Sequence, residues 1–381
     1  MMILEKKRRE EGKPLRIAAF GFRALPPRPG SAGACKFASE LYPRLVQRGH
    51  AVIAYNRSYG GKAEKAGEYR GVQLVSLTTI KRSGFDTLVH SWKCTLQIIR
   101  NNTADIVHIH NGGNSIWAIL LRFAGKRVFV SQDGVDWKRD KWPWYAKLFL
   151  YVSSYITAFA PNRVIFDNIF SRELFEGKFG KKFDFIPYGS EVPVSGQESD
   201  VLERLGLETG KYLLFVGRFI PDKGIHYLVR AFERVDTNFK LVLVGGSPNP
   251  SEYEQKIRKT TDSRIIFPGY IYGDDTITLM RKAYAYIQPS DVEGLSPVIL
   301  TVMGLATPLI CSDIPENQYA VGDTAITFIK SDIESLADKI TFSINNEELL
   351  LNLAKKSQQR ALTLFNWESI TDQHVQLFRN E

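Results

Sequence analysis

The residues best suited to chemistry cluster in the stretch from Gln288 to Phe328. It holds Glu293 in the turn Glu293-Gly294-Leu295-Ser296, followed by an apolar run of helical character, a short buried strand (Pro308 to Cys311) and a second polar turn. A strand-to-helix junction of this kind aims free backbone N–H groups and the positive end of a helix dipole at an anion. Upstream, FVGRFIPDK ends a strand on Gly217 and sets two cations, Arg218 and Lys223, five residues apart. A forked guanidinium suits bidentate phosphate contact, and a lysine supplies a mobile point charge. At the carboxyl end of a parallel strand the pair would clamp a diphosphate; on an ordinary surface it would only be solvated. Val244-Gly245-Gly246-Ser247 ends another strand on glycine. Glycine there permits a ligand to approach the backbone, or simply makes a tight turn. Pro268-Gly269-Tyr270-Ile271 offers a ring that would pack on a nucleobase or on the core.

Histidine and cysteine usage argues against a metal. His108 and His110, in DIVHIH, are read as sending one side chain to each face of their strand, so that they do not share an ion. His110 stands at the strand end with Asn111, Gly112 and Gly113, and is placed at the border of a cleft; a buried structural role competes for both histidines. The three cysteines, Cys35, Cys94 and Cys311, are odd in number and widely spaced, which fits a reducing compartment and gives neither a disulfide framework nor zinc spacing. No Asp-x-Asp element is placed to hold a divalent ion against a diphosphate. The expectation is therefore no metal and no cofactor, with arginine, lysine and helix-end N–H groups neutralising the leaving group.

The elements that must position these residues alternate between strand and helix. Leu15 to Phe20 reads as a first strand, GFRALPPRPGSAGA as a loop, Lys36 to Arg48 as a helix and Ala51 to Tyr55 as a second strand. Glycines 21, 30 and 33 are too far apart for a dinucleotide fingerprint, so a nicotinamide site is not expected. Further strands are predicted at 72–77, 106–109, 126–131, 164–166 and 185–187, with helices between them. A polar connector (SEVPVSGQES) at 190–199 divides this half from a second alternating series that begins with the strand Tyr212 to Val216. The fold class expected is α/β, with two Rossmann-like domains whose mainly parallel sheets face each other across a cleft. The boundaries are a charged tail over 1–14, domains over 15–189 and 200–365, and a final helix over 366–381 crossing back to the first domain.

At 381 residues the chain is too long for one ordinary core. Its net charge of +9 is uneven: residues 1–190 carry 31 Lys and Arg against 15 Asp and Glu, whereas residues 191–381 carry 19 against 26. The basic half suits a phosphorylated substrate or an anionic membrane. No recognised nucleic-acid module is present, so no nucleic-acid partner is expected. Asp136 to Ile156 (DWKRDKWPWYAKLFLYVSSYI) mixes aromatic and basic residues as a membrane interface would, or else forms a partly buried aromatic helix. No apolar run is long enough to span a bilayer and the N-terminus lacks a signal-peptide core, which points to the cytoplasm, with peripheral contact at the inner membrane face.

In their order, FVGRFIPDKGIHYLVRAF, FPGYI and SDVEGLSPVILTVMGLATPLICSDIPENQYAVGD resemble the C-terminal domain of the retaining GT-B glycosyltransferases of family four (glycosyltransferase group 1). The glycine loop after strand one, ELYPRLVQRGHAV, DIVHIHN and IPYGSEV resemble that family's N-terminal domain, and DGVDWKRDKWPWYAKLFL resembles a rhamnosyltransferase-like polysaccharide subgroup. The resemblance spans roughly residues 15–380 and implies transfer of a sugar, with retention and without metal. The resemblance implies a nucleotide-sugar as donor and a saccharide or lipid-diphosphate-linked saccharide as acceptor, as in cell-surface polysaccharide synthesis. It implies that Arg218 and Lys223 hold the donor diphosphate, that Glu293 faces the donor sugar and that Gly294, Leu295 and Ser296 meet phosphate and sugar through their N–H groups. Gly269 and Tyr270 would lie by the base, Gly217 and Gly245 would line the donor site, and Gly33 would belong to a loop closing over the phosphates. His110, Asn111 and Asp136 become acceptor-side candidates, and Asp133 stands where many relatives carry an active-site histidine. Cys35 occupies a loop position that is often glutamate in the subgroup. The chain departs from the family pattern eight residues after Glu293, where Thr301 replaces a glutamate that binds ribose hydroxyls. Two further readings share the architecture: a nucleotide-sugar epimerase, and a degenerate transferase-like protein that binds without turnover.

Overall fold

A computed structural model describes residues 13–27, 33–59, 67–80, 85–132, 134, 143–190, 199–247 and 251–380. The chain forms two compact units. One runs to Tyr188 and resumes at Trp367; the other is continuous from Gly189 to Asn366.

The first unit is built on an eight-stranded sheet in the order β3-β4-β2-β1-β5-β6-β7-β8. Its strands are β1 (Arg16–Phe20), β2 (Ala51–Ser58), β3 (Gly67–Tyr69), β4 (Val72–Thr78), β5 (Ile106–His110), β6 (Arg127–Gln132), β7 (Arg163–Phe166) and β8 (Asp184–Phe185). All neighbours are parallel except β3, which pairs antiparallel with β4 through the register Glu68 to Gln73. The helices are α1 (Gly33–Gln47), α2 (Phe85–Asn101), α3 (Ala118–Phe123), α4 (Trp144–Phe159) and α5 (Ile169–Phe179), with a 3-10 turn over Gly112–Trp117. Short apolar runs such as IVHIH are wholly buried, as expected for strands covered on both faces. The α5 helix starts on Asn168, whose side chain accepts from Ser171 N, and stops on Gly180 in the left-handed conformation.

The second unit carries a fully parallel six-stranded sheet in the order β11-β10-β9-β12-β13-β14. Its elements run α6 (Val201–Arg204), β9 (Tyr212–Arg218), α7 (Ile225–Phe232), β10 (Lys240–Gly246), α8 (Glu252–Ile257), β11 (Ile265–Gly269), α9 (Asp274–Lys282) and β12 (Ala285–Gln288). They continue with α10 (Pro297–Gly304), β13 (Leu309–Ser312), α11 (Pro315–Val321), β14 (Ile326–Phe328), α12 (Ile333–Ile344) and α13 (Glu347–Leu364). The α7 helix shows why the layers hold: Ile225, Leu228, Val229 and Phe232 recur at helical spacing and all four are buried in the core formed with β9 and β10.

The last helix, α14 (Trp367–Arg379), belongs to the first unit and lies along α1. Arg44 of α1 and Arg48, just past its end, form ion pairs with Glu368 and Asp372 at 2.8–3.0 Å, and Trp367, His374 and Phe378 of α14 are buried. Two expected features differ. The first helix begins at Gly33, so Gly33 and Cys35 lie in α1 instead of in a loop. The polar stretch after β13 is not a turn: Pro315 at its first position starts α11, because a proline fits a helix start where no N–H is needed. Most of the 190–199 connector lies outside the described residues.

Candidate functional site

In the second unit β9 and β12 are side by side but not consecutive; β10 and β11 extend the sheet one way, β13 and β14 the other. Strand order reverses between them, and open α/β sheets take ligands outside the carboxyl ends of the strands at such a point. Arg218 is the last residue of β9, and the turn bearing Glu293 follows the end of β12 at Gln288.

Three donors converge on one oxygen of Glu293, a side chain only 8% exposed. Oε1 accepts from Ser290 Oγ at 2.6 Å, from Gln288 Nε2, and from Lys223 Nζ in an ion pair. Among the described residues Oε2 receives no hydrogen bond. The donors are themselves fixed. Tyr286 Oη lies 2.8 Å from Gln288 Oε1, which orients the amide so that its NH2 faces Glu293. Burial pushes the Tyr286 phenol upward, keeping it a protonated donor. Ser290 O accepts from Ser312 Oγ at 2.5 Å, and Ser312 Oγ accepts from Asn317 Nδ2 of α11 at 3.0 Å. Lys223 reaches this network because Asp291 N donates to Asp222 O at 2.9 Å, tying the Pro221–Lys223 turn to the loop after β12.

The Arg218 side chain is exposed and, among the described residues, makes no hydrogen bond or salt bridge. It lies near Tyr270, whose phenol is raised first by burial and lowered again by the Arg218 charge. Tyr270 is 46% exposed, stacks parallel to Tyr272 at 5.9 Å and packs over Gly246. Gly217 and Gly245 are register partners on β9 and β10. Gly245 has φ +129°, and a Cβ there would lie 1.9 Å from Gly217 O, so the pair admits no side chain. Leu295 anchors the Glu293 turn by burial, and Ser296 caps α10 with Oγ 3.5 Å from Ile299 N. Gly294 lies between Glu293 and Leu295 in the same turn. Thr301 turns its hydroxyl to its own helix, donating to Pro297 O at 2.9 Å. The arrangement offers one free guanidinium, a held carboxylate with an open oxygen, and a capped helix start.

The first-unit candidates fall differently. Asp133 and Asp136 lie outside the described residues. Asn111 has φ +68° and its Nδ2 donates to Gly21 O at 3.2 Å. The expected opposition of His108 and His110 is wrong: side chains two apart on a strand share a face. Their rings lie 4.6 Å apart, with Tyr42 Oη 2.6 Å from His110 Nε2 and 3.1 Å from His108 Nδ1. His108 Nε2 is 2.8 Å from Ser131 Oγ. His110 is 1% exposed and lines a small cavity with Phe37, Ser131, Gln132, Asp167, Tyr188 and His374, so it is packed inside the unit. Burial holds His110 down at about 3 and His374 at about 4, and lowers His108 as well. Among the described residues no cluster of three or more His, Cys, Asp or Glu is placed to hold a metal ion. The sequence reading missed Tyr286, Gln288, Ser290 and Asn317. The period-2 spacing of Tyr286, Gln288 and Ser290 was the available signal, since it puts polar groups on one side of a strand end.

Residues 32–189 match the family described as Glycosyltransferase Family 4, and residues 199–360 match Glycosyl transferases group 1. An uncharacterized glycosyltransferase of Methanocaldococcus jannaschii, MJ1178, is 24% identical over 79% of this chain and 83% of its own. The O-antigen chain mannosyltransferase B of Escherichia coli is 24% identical over 47% of this chain and 48% of its own. Among solved structures, Anabaena HepE (Alr3699) in complex with UDP-glucose superimposes with a TM-score of 0.77, covering 96% of this chain and 100% of that one at 15% identity. With two parallel-sheet domains in this order, the chain belongs to the group 1 glycosyl transferases with a family 4 first domain, and is a glycosyltransferase of the GT-B fold.

Proposed function

We propose that the protein moves a sugar from a nucleotide-sugar, with retention and without metal, to a saccharide or lipid-diphosphate-linked saccharide in the synthesis of a surface polysaccharide. The observation that carries the reading is Glu293, held through one oxygen beside the carboxyl end of β9 with the other oxygen open. Arg218 grips the diphosphate. Lys223, released in part from Glu293, and the N–H groups of Gly294, Leu295 and Ser296 take up the charge that builds as the nucleoside diphosphate departs. Glu293 Oε2 holds a hydroxyl of the donor sugar. The base lies by Gly269 and Tyr270, and Gly217 and Gly245 leave room for the phosphates. Gly33, Asn111, Asp133 and Asp136 serve the first-domain side, and the basic first unit rests against an anionic membrane. HepE, with a similar fold, was solved with UDP-glucose, and a mannosyltransferase of O-antigen chains is a relative, which supports donor and product class.

Thermal-shift and calorimetric screening against UDP-, GDP- and dTDP-sugars tests this. One of them should stabilise the protein, and Arg218→Ala should weaken it by about 10- to 150-fold, the worth of a charge-assisted contact. Glu293→Gln should keep nucleotide binding and lose most turnover. Unchanged binding in Arg218→Ala would refute the clamp. A second reading, binding without turnover, has one observation in its favour: the Thr301 hydroxyl donates within its own helix. Tight donor binding with no product from any acceptor would select it.

A further inference from the structure

The α4 helix is inside out. Its buried residues are small or polar, Ser153, Ser154, Thr157 and Ala158, and they seat it on the 3-10 turn, where Thr157 Oγ1 lies 2.6 Å from Ser115 Oγ. Phe149 and Leu150 approach Gly113, but most of its large apolar side chains face outward. Trp144, Tyr145, Leu148, Val152, Tyr155 and Phe159 are all exposed, from 44% at Tyr155 to 77% at Trp144. Positions 144, 148, 152, 155 and 159 recur at helical spacing, so they form one stripe. On the adjoining α3, Phe123 is 87% exposed. A contiguous apolar surface of this kind marks an interaction site.

Charge selects the occupant. The helix contains no acidic residue. From the neighbouring α5, Lys178 sets its Nζ 3.7 Å from the Tyr151 ring and 4.9 Å from the Tyr155 ring. Lys181 Nζ lies 5.9 Å from the Phe159 ring. Tryptophan and tyrosine beside aliphatic side chains, with lysines at the rim, is the composition of a helix lying in a lipid headgroup layer. A symmetric contact of α4 with a second copy would instead need acidic side chains to meet these lysines, and α4 offers none. No helix among the described residues is long and apolar enough to cross a membrane, so on a bilayer α4 would lie in the plane.

We infer that the outward stripe of α4, rimmed by Lys178 and Lys181, is the surface by which the first unit sits on an anionic bilayer. This rests on the membrane contact proposed above and names the element responsible. The test is flotation of the full chain with vesicles of phosphatidylcholine, with and without phosphatidylglycerol. The wild type should float with the anionic vesicles only. The triple variant Leu148→Ser, Val152→Ser, Tyr155→Ser should need about tenfold more lipid for half-binding, and Lys178→Glu with Lys181→Glu should abolish the preference for phosphatidylglycerol. Bromine-labelled acyl chains should quench tryptophan fluorescence, and Trp144→Phe should remove most of that quenching, which serves where the triple variant folds poorly. A wild type that fails to float overturns membrane contact altogether. A wild type that floats, with triple variant and Trp144→Phe both unchanged, leaves membrane contact standing and overturns α4. A dimer that the triple variant turns into a monomer, without vesicle binding, assigns the stripe to a second copy and overturns it too.

Discussion

Glu293 and Arg218 represent two ways of presenting charge. Glu293 is buried and surrounded, so its geometry is set by Gln288, Ser290 and Lys223 before any ligand arrives. Arg218 is exposed and unpaired among the described residues, and its geometry is set by whatever binds it. The two should therefore separate on substitution. Gln288→Leu removes one of the three donors to Glu293 and one of the two acceptors of the Tyr286 hydroxyl, at a cost of about 1–3 kcal/mol. Arg218→Ala should change stability by less than about 0.5 kcal/mol, as exposed substitutions do. Urea unfolding of the two variants checks this, and equal stabilities would show that the Glu293 network bears no weight. Glu293, Arg218 and Lys223 were legible because charged residues stand out at strand ends. Gln288 and Ser290 were not, since a neutral polar residue at a strand end looks like the beginning of a loop. His108 and His110 were misjudged on geometry alone; their period of two puts both on Tyr42.

At the level of elements, the site depends on how closely strands approach. Gly245 and Gly269 both have positive φ, at +129° and +82°, but only Gly245 faces a wall: Gly217 O would lie 1.9 Å from its Cβ, while nothing stands within 4 Å at Gly269. Gly269→Ala should cost only the backbone term of about 1–2 kcal/mol. Gly245→Ala must also push β9 from β10, and should be less stable than Gly269→Ala by at least about 1 kcal/mol. Thermal unfolding of the two gives the ranking, and a reversed order would mean the strands part easily. Most elements could be read from pattern because apolar runs between glycines are plain in β9, β10 and β12. The short β3 (GEY) has no apolar pattern and exists by pairing with β4. The α4 helix defeated a choice between core and interface, because periodicity locates a stripe without saying which way it faces.

Across the whole molecule, acid sensitivity is unevenly shared. Five of the six histidines lie in the first unit and only His226 in the second. Burial depresses His90 and His374 to about 4 and His110 to about 3, and lowers His108; His110 and His374 line a cavity together with Asp167. A depressed histidine pKa means that the folded state refuses a proton the unfolded chain accepts. The stability is complete above the unfolded value of about 6.5 and falls as pH drops from there toward 4, by at most about 1.4 kcal/mol per pH unit for each such histidine. All six tryptophans also belong to the first unit, so their fluorescence reports on it alone. Between pH 7 and 5 the fluorescence-detected melting temperature should fall further than the circular-dichroism transition of the second unit. Parallel shifts in both would sink this account.

The return of α14 to the first unit has a consequence for the order of synthesis. A ribosome delivers β1 to β8 first, then every element of the second unit, and only afterwards the helix that carries Trp367, His374 and Phe378. Until then the faces of Phe37, His108 and Phe129 that those side chains cover have no partner. The second unit, continuous in the chain, can close on emerging, while the first waits partly open through some 180 residues of translation, or on the order of 10–40 s at ordinary elongation rates. The nascent chain thus completes its domains in the reverse of the order in which it begins them, and the first-begun domain is the one that chaperones must shield.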